Sequence, residues 1–247
     1  MNTTAENNIN NSYGISEKAK NKCRLSVVVS VYNEEKALRD FYRETNKVLE
    51  QIETLGWEHE LVFVNDGSKD QSLNILEELA KMDKNVKVVS FSRNFGHEAA
   101  MIAGIDYSTG DGIICMDADL QHPPECIPKI IEKFDAGYEV INMVRTKNQS
   151  AGLIKNITSS GFYWLINHIS DVHFEPNASD FFAISRHVAQ VLKDHYREKV
   201  RFLRGYVQNV GFKKTNIEYE ARARVAGESK YSIKKLFIFS INTILCF

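Results

Sequence analysis

Apolar residues form short runs along the chain, and these runs alternate with stretches whose apolar positions recur at helical spacing. The first helical stretch covers 35–53. Strands that alternate with helices favour βαβ units, so the pattern predicts an α/β fold with a mostly parallel central sheet flanked by helices. The predicted strands lie at 24–31, 60–65, 86–92, 112–116 and 138–144.

Acidic and amide side chains directly follow three of the predicted strands. They occur at 33–35, at 66–68, and at Asp117 and Asp119. Ligands bind beyond the carboxyl ends of strands in open α/β sheets, so we expect these groups to converge on one site. Asp117 and Asp119 are two residues apart and would project to the same side of an extended chain. Two carboxylates that close need a bound cation or a shared proton, and an ordinary acidic turn after a strand is the alternative interpretation.

The loop and helix after the third strand offer a second kind of ligand contact. Residues 93–97 are predicted to open this helix, and its free N–H groups would then suit an anion or a sugar hydroxyl. The chain has neither a G-x-G-x-x-G nor a G-x-x-x-x-G-K-[ST] motif. This excludes the Rossmann dinucleotide grip and the P-loop.

Charge and polarity differ between the two ends of the chain. The net charge is −1, yet residues 197–247 hold eleven Lys and Arg against four Asp and Glu. This basic region is expected to face something anionic. Residues 1–22 are Asn-rich and predict a disordered tail. Residues 231–247 place an apolar stripe beside Lys234 and Lys235, which is typical of an amphipathic juxtamembrane helix truncated before transmembrane helices, or of a helix that caps the core.

The chain carries the segments VVVSVYNEE, FVNDGSKDQS, SRNFGHEAAMIAG and MDADLQHPPE in this order. Together they resemble the inverting family 2 glycosyltransferases, which have a GT-A fold. The later segments SDFFAISR, VRFLRGYVQNVGF and RARVAGESKYS narrow the resemblance to the polyprenyl-phosphate glycosyltransferases. The resemblance covers roughly residues 24–247 and implies a GT-A domain over 23–230.

The resemblance implies transfer of one sugar from a nucleotide-sugar donor, expected to be UDP-linked, to undecaprenyl phosphate with inversion. It implies Mg²⁺ or Mn²⁺ as cofactor and a protein that works at the cytoplasmic face of the cell membrane. Two alternatives remain: a family 2 enzyme acting on a glycan or protein hydroxyl, and an inactive nucleotide-sugar-binding protein. Nucleic acid is not an expected partner, because the basic stretch is not expected to interleave exposed aromatic residues with its charges and the rest of the chain is acidic. A homo-oligomer stays open.

The resemblance also assigns roles to individual residues. Asp119 and Asp180 are the expected catalytic residues, and Asp180 would act as a general base or would position the acceptor or a metal. Asp117, Asp119 and Gln121 are the expected metal ligands. The residues expected to bind the nucleotide sugar are Tyr32, Asn33, Glu34, Asp66, Asp117, Gln121, Arg204, Arg222 and Lys230. Those expected to bind the acceptor phosphate are Arg145, Ser159 and Arg201.

Several of these residues also have a plain structural interpretation. Asn33 and Asp66 suit ordinary turn chemistry, whatever the function. Gln121 would equally serve as an exposed loop residue. Arg201 and Arg204 lie one helical turn apart and would equally hold their aliphatic stems on the core with their charges in water.

Overall fold

The computed structural model describes residues 23–146, 178–198 and 202–222. Within these ranges the strands are β1 Cys23–Val31, β2 Trp57–Asn65, β3 Val86–Ser90, β4 Gly112–Asp117, β5 Val140–Arg145, β6 Ala178–Ser185 and β7 Lys214–Tyr219. The helices are α1 Leu38–Glu53, α2 Ser72–Met82, α3 His97–Tyr107, α4 Ile127–Asp135, α5 Arg186–His195 and α6 Leu203–Asn209, with a short 3₁₀ helix at Pro124–Cys126. The predicted tail over 1–22 and the predicted amphipathic segment over 231–247 lie outside the described residues.

The described strands form one sheet in the order β3-β2-β1-β4-β6-β5-β7. The pairs β1 with β2, β1 with β4, β2 with β3, and β5 with β7 are parallel, whereas β6 runs antiparallel to both of its neighbours. The predicted α/β fold with a mostly parallel sheet is therefore confirmed. The reversal of β6 matters for the site, because it brings the start of this strand to the edge where the other six end.

Helices cover both faces of the sheet and divide the core into two clusters. Alternate residues of β1 show the division, since Val27 and Val29 pack towards α1, α2 and α4. Val28 packs on the other face, towards α3, α5 and α6. The central strands are buried on both sides, which explains why they read as continuous apolar runs in the sequence. In the part of the chain that the structure describes, no helix is both long and apolar enough to cross a membrane.

The structure corrects two details of the predicted elements. β4 ends at Asp117, and Asp119 lies in the turn that follows, so the two acids do not share one face of an extended strand. The turn continues through Leu120, which adopts a left-handed φ of 61°. Helix α3 begins at His97 with Gly96 as its N-cap, so residues 93–96 form a loop before the helix.

A buried carboxylate ties the opposite, amino-terminal edge of the sheet together. Glu60 of β2 accepts hydrogen bonds from Ser26 Oγ at 2.6 Å, from the Thr109 N–H at 2.6 Å and from Thr109 Oγ1 at 2.8 Å. Lys87 Nζ lies 2.7 Å from it. Burial opposes the charged form, but Lys87, Ser26 and Thr109 outweigh it and lower the pKa of Glu60 to about 2.

We expect Glu60→Gln to destabilise the fold in a pH-dependent way. A folded pKa of about 2 against an ordinary 4.5 means that the stabilisation is complete above about pH 4.5 and is lost as the pH falls towards 2. The free energy of unfolding measured with urea at pH 7 should be roughly 2–3 kcal/mol lower for the variant than for wild type. This difference should become smaller below about pH 4.5. Glu58→Gln is the control, because its 47% exposed carboxylate faces Arg24 and should contribute under about 1 kcal/mol. Equal effects of the two substitutions would contradict the prediction.

Candidate active site

Three groups that were predicted to converge do meet at one edge of the sheet. The register pairs Val31 of β1 with Asn65 of β2, and Ser30 of β1 with Asp117 of β4. The loops that follow these three strands therefore start side by side. The antiparallel register of β4 with β6, continued two residues beyond the Cys115–Phe182 pair, places Asp180 opposite Asp117.

A cleft of about 500 Å³ opens at the ends of β1, β2 and β3. Its floor is made by two loops that hydrogen-bond to each other, because Asn33 accepts the Lys69 N–H at 2.8 Å and donates its own N–H to Ser68 Oγ at 3.0 Å. Asn33 is left-handed, with a φ of 53°, which an asparagine tolerates in a turn. The cleft is lined by Tyr32, Asn65, Gly67, Ser68, Lys69, Leu73 and residues 90–94.

Asp66 holds the loop between β3 and α3 against this cleft. Its carboxylate accepts from Asn94 Nδ2 at 2.8 Å, from the Phe95 N–H at 2.6 Å and from the Gly96 N–H at 3.0 Å. Asp66 is 1% exposed. The carboxylate therefore faces the loop rather than open space. The N–H groups of Phe95 and Gly96 were predicted to be free for an anion or a sugar hydroxyl, but they donate to Asp66.

Gly67 lets the turn after β2 approach the same loop closely. Its φ is +65°, a left-handed conformation that glycine adopts without strain. A Cβ at this position would lie 2.4 Å from the carbonyl carbon of Arg93 and 2.7 Å from its Cα. The turn at 66–67 and the loop at 93–96 therefore form one packed unit beside the cleft.

Asp117 and Asp119 lie at the exit of β4 next to two histidines. His97 Nδ1 is 3.6 Å from Asp117 Oδ1, and His122 Nδ1 accepts the Asp117 N–H at 3.0 Å. His122 is buried and stacks on Phe181 at 5.0 Å between ring centroids. Burial lowers the pKa of His122 against the pull of the nearby carboxylates, so this imidazole is neutral. It fixes the backbone at Asp117 without cancelling the charge of the side chain.

The oxygen atoms around β4 fit a hard divalent cation in the presence of a ligand that adds further oxygens. Asp119 is 7% exposed and accepts the Gln121 N–H at 3.1 Å, which shapes the turn. The amide oxygen of Gln121 lies 3.4 Å from Arg145. Across the described ranges, no three His, Cys, Asp or Glu side chains gather closely enough to hold a metal alone. Two carboxylates that complete their coordination with ligand oxygens match what Mg²⁺ prefers.

Asp180 faces an arginine across the site. Arg204 Nη1 lies 3.7 Å from Asp180 Oδ1, and the two side chains are 20% and 39% exposed. Burial favours the neutral acid, but Arg204 and His97 outweigh it and lower the pKa of Asp180. Burial also opposes the charged form of His97, yet Asp117 and Asp180 raise its pKa. Asp180 is therefore a carboxylate that faces the guanidinium of Arg204.

The remaining predicted residues are distributed around this edge. Arg145 ends β5, and Arg222 follows β7 and pairs with Glu125. Glu34 donates its N–H to Ser72 Oγ at 2.9 Å. Ser159, Arg201 and Lys230 lie outside the described residues.

Sequence reasoning missed two residues that the structure brings to the site. His122 follows Gln121 directly, but nothing in its local sequence signals a hydrogen bond to the Asp117 backbone. Glu98 lies in the first turn of α3, where the helix dipole favours an acid, so its presence in the sequence gives no sign of a further role. Its Oε2 instead accepts the Leu203 N–H at 2.8 Å, a contact between distant parts of the chain.

Comparison with known proteins places this arrangement among glycosyltransferases. A family model described as glycosyl transferase family 2 matches residues 26–192. The uncharacterised glycosyltransferase YkcC of Bacillus subtilis is 44% identical over 224 residues, which cover 91% of this chain and 68% of that protein. The bactoprenol glucosyl transferase of Shigella phage SfX is 40% identical over 224 residues, which cover 91% of this chain and 72% of that protein.

Solved structures share the fold at much lower sequence identity. Glucosyl-3-phosphoglycerate synthase from Mycobacterium tuberculosis, crystallised with Mn²⁺, UDP and phosphoglyceric acid, superposes with a TM-score of 0.54 at 16% identity. The match covers 89% of this chain and 75% of that one. TarS 1–349 of S. aureus gives a TM-score of 0.55 at 18% identity, and the match covers 80% of this chain and 59% of that one. At such identities the likeness concerns the fold alone.

Proposed function

The chain belongs to glycosyltransferase family 2, and we propose that it transfers one sugar from a nucleotide-sugar donor to a polyprenyl phosphate, with inversion at the anomeric carbon. The observation that carries the acceptor is the 40% identity, over 91% of this chain, to a protein named bactoprenol glucosyl transferase. Two arginines at this edge support the choice, because Arg204 lies 3.7 Å from Asp180 and Arg145 lies 3.4 Å from Gln121, where a phosphate would find cationic partners.

The nucleoside of the donor is proposed to bind in the cleft of about 500 Å³ at the ends of β1, β2 and β3. Tyr32 lines it, and Asn33 is proposed to contact the donor from the same loop, which it ties to residues 68–69. Glu34 is proposed to hold the ribose hydroxyls. Asp66 would act through the loop that it clamps, because its carboxylate already accepts three hydrogen bonds from residues 94–96. A UDP-linked donor is the proposed class.

Asp117, Asp119 and Gln121 are proposed to hold Mg²⁺ or Mn²⁺ together with the diphosphate of the donor. A divalent cation bound there supplies a Lewis acid beside the leaving diphosphate. Asp119 keeps its position through the Gln121 N–H, and His122 fixes the backbone at Asp117. These hydrogen bonds hold the two carboxylates ready without reorganisation during the reaction. Arg222 and Lys230 are proposed to approach the same diphosphate.

Arg145 is proposed to receive the acceptor phosphate, with Ser159 and Arg201 as further contacts. Arg204 was expected to bind the nucleotide sugar, and we reassign it to the acceptor phosphate because it faces Asp180. A phosphate monoester has a second pKa near ~6, so it reaches the site largely ionised and needs little deprotonation. Asp180 is therefore proposed to orient Arg204 and the acceptor rather than to remove a proton. Its low pKa suits this role, because a carboxylate that stays charged keeps the guanidinium in place.

A second candidate function is transfer to a hydroxyl acceptor. The observation that favours it is Asp180 itself, since an ionised carboxylate beside the reacting centre is able to act as a general base. The two functions differ in what they need from the acceptor. A phosphate is a nucleophile already, whereas a hydroxyl requires the base.

The proposed acceptor also implies where the protein works. An isoprenoid tail gains ~0.8 kcal/mol for each CH₂ that leaves water, so its phosphate stays at the bilayer surface. The enzyme is proposed to meet it at the cytoplasmic face of the membrane. The edge of the sheet that carries Arg145 and Arg204 would then face the anionic headgroups.

We expect the full chain to transfer sugar to a short-chain polyprenyl phosphate and not to the matching polyprenol. The test offers UDP-glucose, UDP-N-acetylglucosamine, UDP-galactose and GDP-mannose with each acceptor, in the presence of Mg²⁺ or Mn²⁺. Product is followed by mass spectrometry, and Asp119→Ala is the inactive control. Transfer to polyprenol or to a glycan at the same rate as to polyprenyl phosphate would favour the hydroxyl function instead.

A further inference from the structure

Glu98 supplies a cap to a helix that has none of its own. The first N–H groups of any helix lack partners within that helix. Phe202 precedes α6 and provides no side-chain cap, and Leu203 is the first residue of the helix. The Leu203 N–H donates to Glu98 Oε2 at 2.8 Å, so an acid of α3 does for α6 what an N-cap side chain does locally.

The helix that Glu98 caps carries an arginine of the site. Arg204 is the residue after Leu203, and its Nη1 lies 3.7 Å from Asp180. α6 has seven residues, and so short a helix depends on tertiary contacts rather than on intrinsic propensity. Leu203 and Tyr206 pack into the core cluster on that face of the sheet and anchor one side of the helix. The Glu98 contact fixes its start.

The surroundings of Glu98 do not require it to be charged. Burial raises its pKa to about 7, and Asp180 adds to the rise, while His97, the Leu203 N–H and Arg204 oppose it. Near neutral pH the carboxyl group is therefore present in both forms. Each form has an oxygen that accepts the Leu203 N–H, and an amide oxygen would do the same. The hydrogen bond, rather than the charge, is the feature that a substitution should test.

We propose that Glu98 is a positioning residue, which holds the start of α6 through the Leu203 N–H and thereby keeps Arg204 facing Asp180. The role rests on the proposed function only in that Arg204 and Asp180 serve the acceptor. Glu98 itself need not touch donor, acceptor or metal. Its effect should consequently appear in turnover and depend on Arg204, and donor binding should change little.

Three variants separate this role from a general effect on folding. Glu98→Ala removes the acceptor of the hydrogen bond, and we expect kcat to fall about 10- to 100-fold, because small misplacements of site groups can cost that much. The donor KM should stay within about two-fold of wild type, and Glu98→Gln should retain kcat within about three-fold. Asp106→Ala is the matched control, since Asp106 also lies on α3 and pairs with Arg197 at 2.6 Å. It should lower stability somewhat and leave kcat unchanged.

Two further measurements test the inference, and the first of them does not depend on the acceptor. Hydrogen exchange of the Leu203 amide should accelerate in Glu98→Ala and stay protected in Glu98→Gln, whether or not polyprenyl phosphate is the substrate. Adding Glu98→Ala to Arg204→Ala should cause no further loss of turnover, because both act through the same group. An equal loss of turnover for Gln and Ala at position 98, or a full additional loss in the Arg204→Ala background, would overturn the proposal. If wild type used another acceptor, only the proposed function would fail, and the same comparison would be made with that acceptor.

Discussion

Replacing Asp119 with alanine is expected to reduce sugar transfer by roughly 10³-fold or more, with any nucleotide sugar, while the fold persists. Asp119 lies 7% exposed in the turn after β4, and its carboxylate accepts the Gln121 N–H at 3.1 Å. The substitution removes one of the two carboxylates proposed to hold the cation and also loosens the turn. Turnover should suffer far more than stability, because the turn lies at the edge of the sheet.

Two measurements check the cause of this loss. Binding of Mn²⁺ in the presence of UDP is measured by calorimetry, and it should be lost in Asp119→Ala and kept in Glu132→Ala. Glu132 is a suitable control because its carboxylate is exposed on α4, outside the turn that carries Asp119. Glu132→Ala should also turn over at the wild-type rate. Full activity of the wild-type protein in excess EDTA would remove the argument for two metal-binding carboxylates, even if Asp119→Ala were inactive.

The central sheet was predictable because its strands are buried on both faces. β1, β2 and β4 each present a continuous apolar run, and the acids that follow them mark where each run leaves the core. Parallel strands end at the same edge, so their convergence followed from the fold class alone. β4 extends one residue beyond the predicted strand at 112–116 and ends at Asp117. The polar side chain of Asp117 gives no apolar signal, although its backbone continues the strand.

The parts of the site that escaped prediction depend on the direction of a strand and on contacts between distant residues. β6 has eight residues, and no local signal in them shows that the strand runs antiparallel to β4. That direction places Asp180 at the beginning of a strand and still at the edge where β4 ends. The turn after β4 uses a left-handed leucine, Leu120, for which the sequence offers no glycine as a sign. The bond from Leu203 to Glu98 spans 105 residues.

Asp66 illustrates how a correct position can carry an unexpected contact. The sequence placed it in the turn after the second strand, and the structure confirms that location. The expected partner was the nucleotide sugar. The carboxylate instead accepts from three donors of the loop at 94–96, because Gly67 allows that loop to come within contact of the turn. The N–H groups of Phe95 and Gly96, which were expected to bind a ligand, therefore hold the loop to the turn after β2 instead.

Gly67→Ala tests this packed unit, and we expect it to destabilise the protein by roughly 3 kcal/mol. The left-handed φ of +65° is costly for alanine, and the new Cβ would lie 2.4 Å from the carbonyl carbon of Arg93. Backbone atoms cannot rotate away as a side chain can, so the loop at 93–96 has to move. Its displacement would stretch the three hydrogen bonds to Asp66 and reshape the cleft, and UDP affinity should fall about ten-fold or more, since one lost contact of about 1.4 kcal/mol is ten-fold.

Gly56→Ala is the matched control for backbone strain without a clash. Gly56 also has a positive φ, of +86°, but within the described ranges no atom beyond its own chain neighbours lies within 4 Å of the position its Cβ would take. Gly56→Ala should lower the free energy of unfolding by about 1 kcal/mol, because alanine is strained in the left-handed conformation, and should leave UDP affinity unchanged. Urea unfolding and calorimetric UDP titration of both variants make the comparison. If the two alanines destabilised the protein equally and UDP bound to both as to wild type, the close approach of the turn to the loop would not shape the nucleotide cleft.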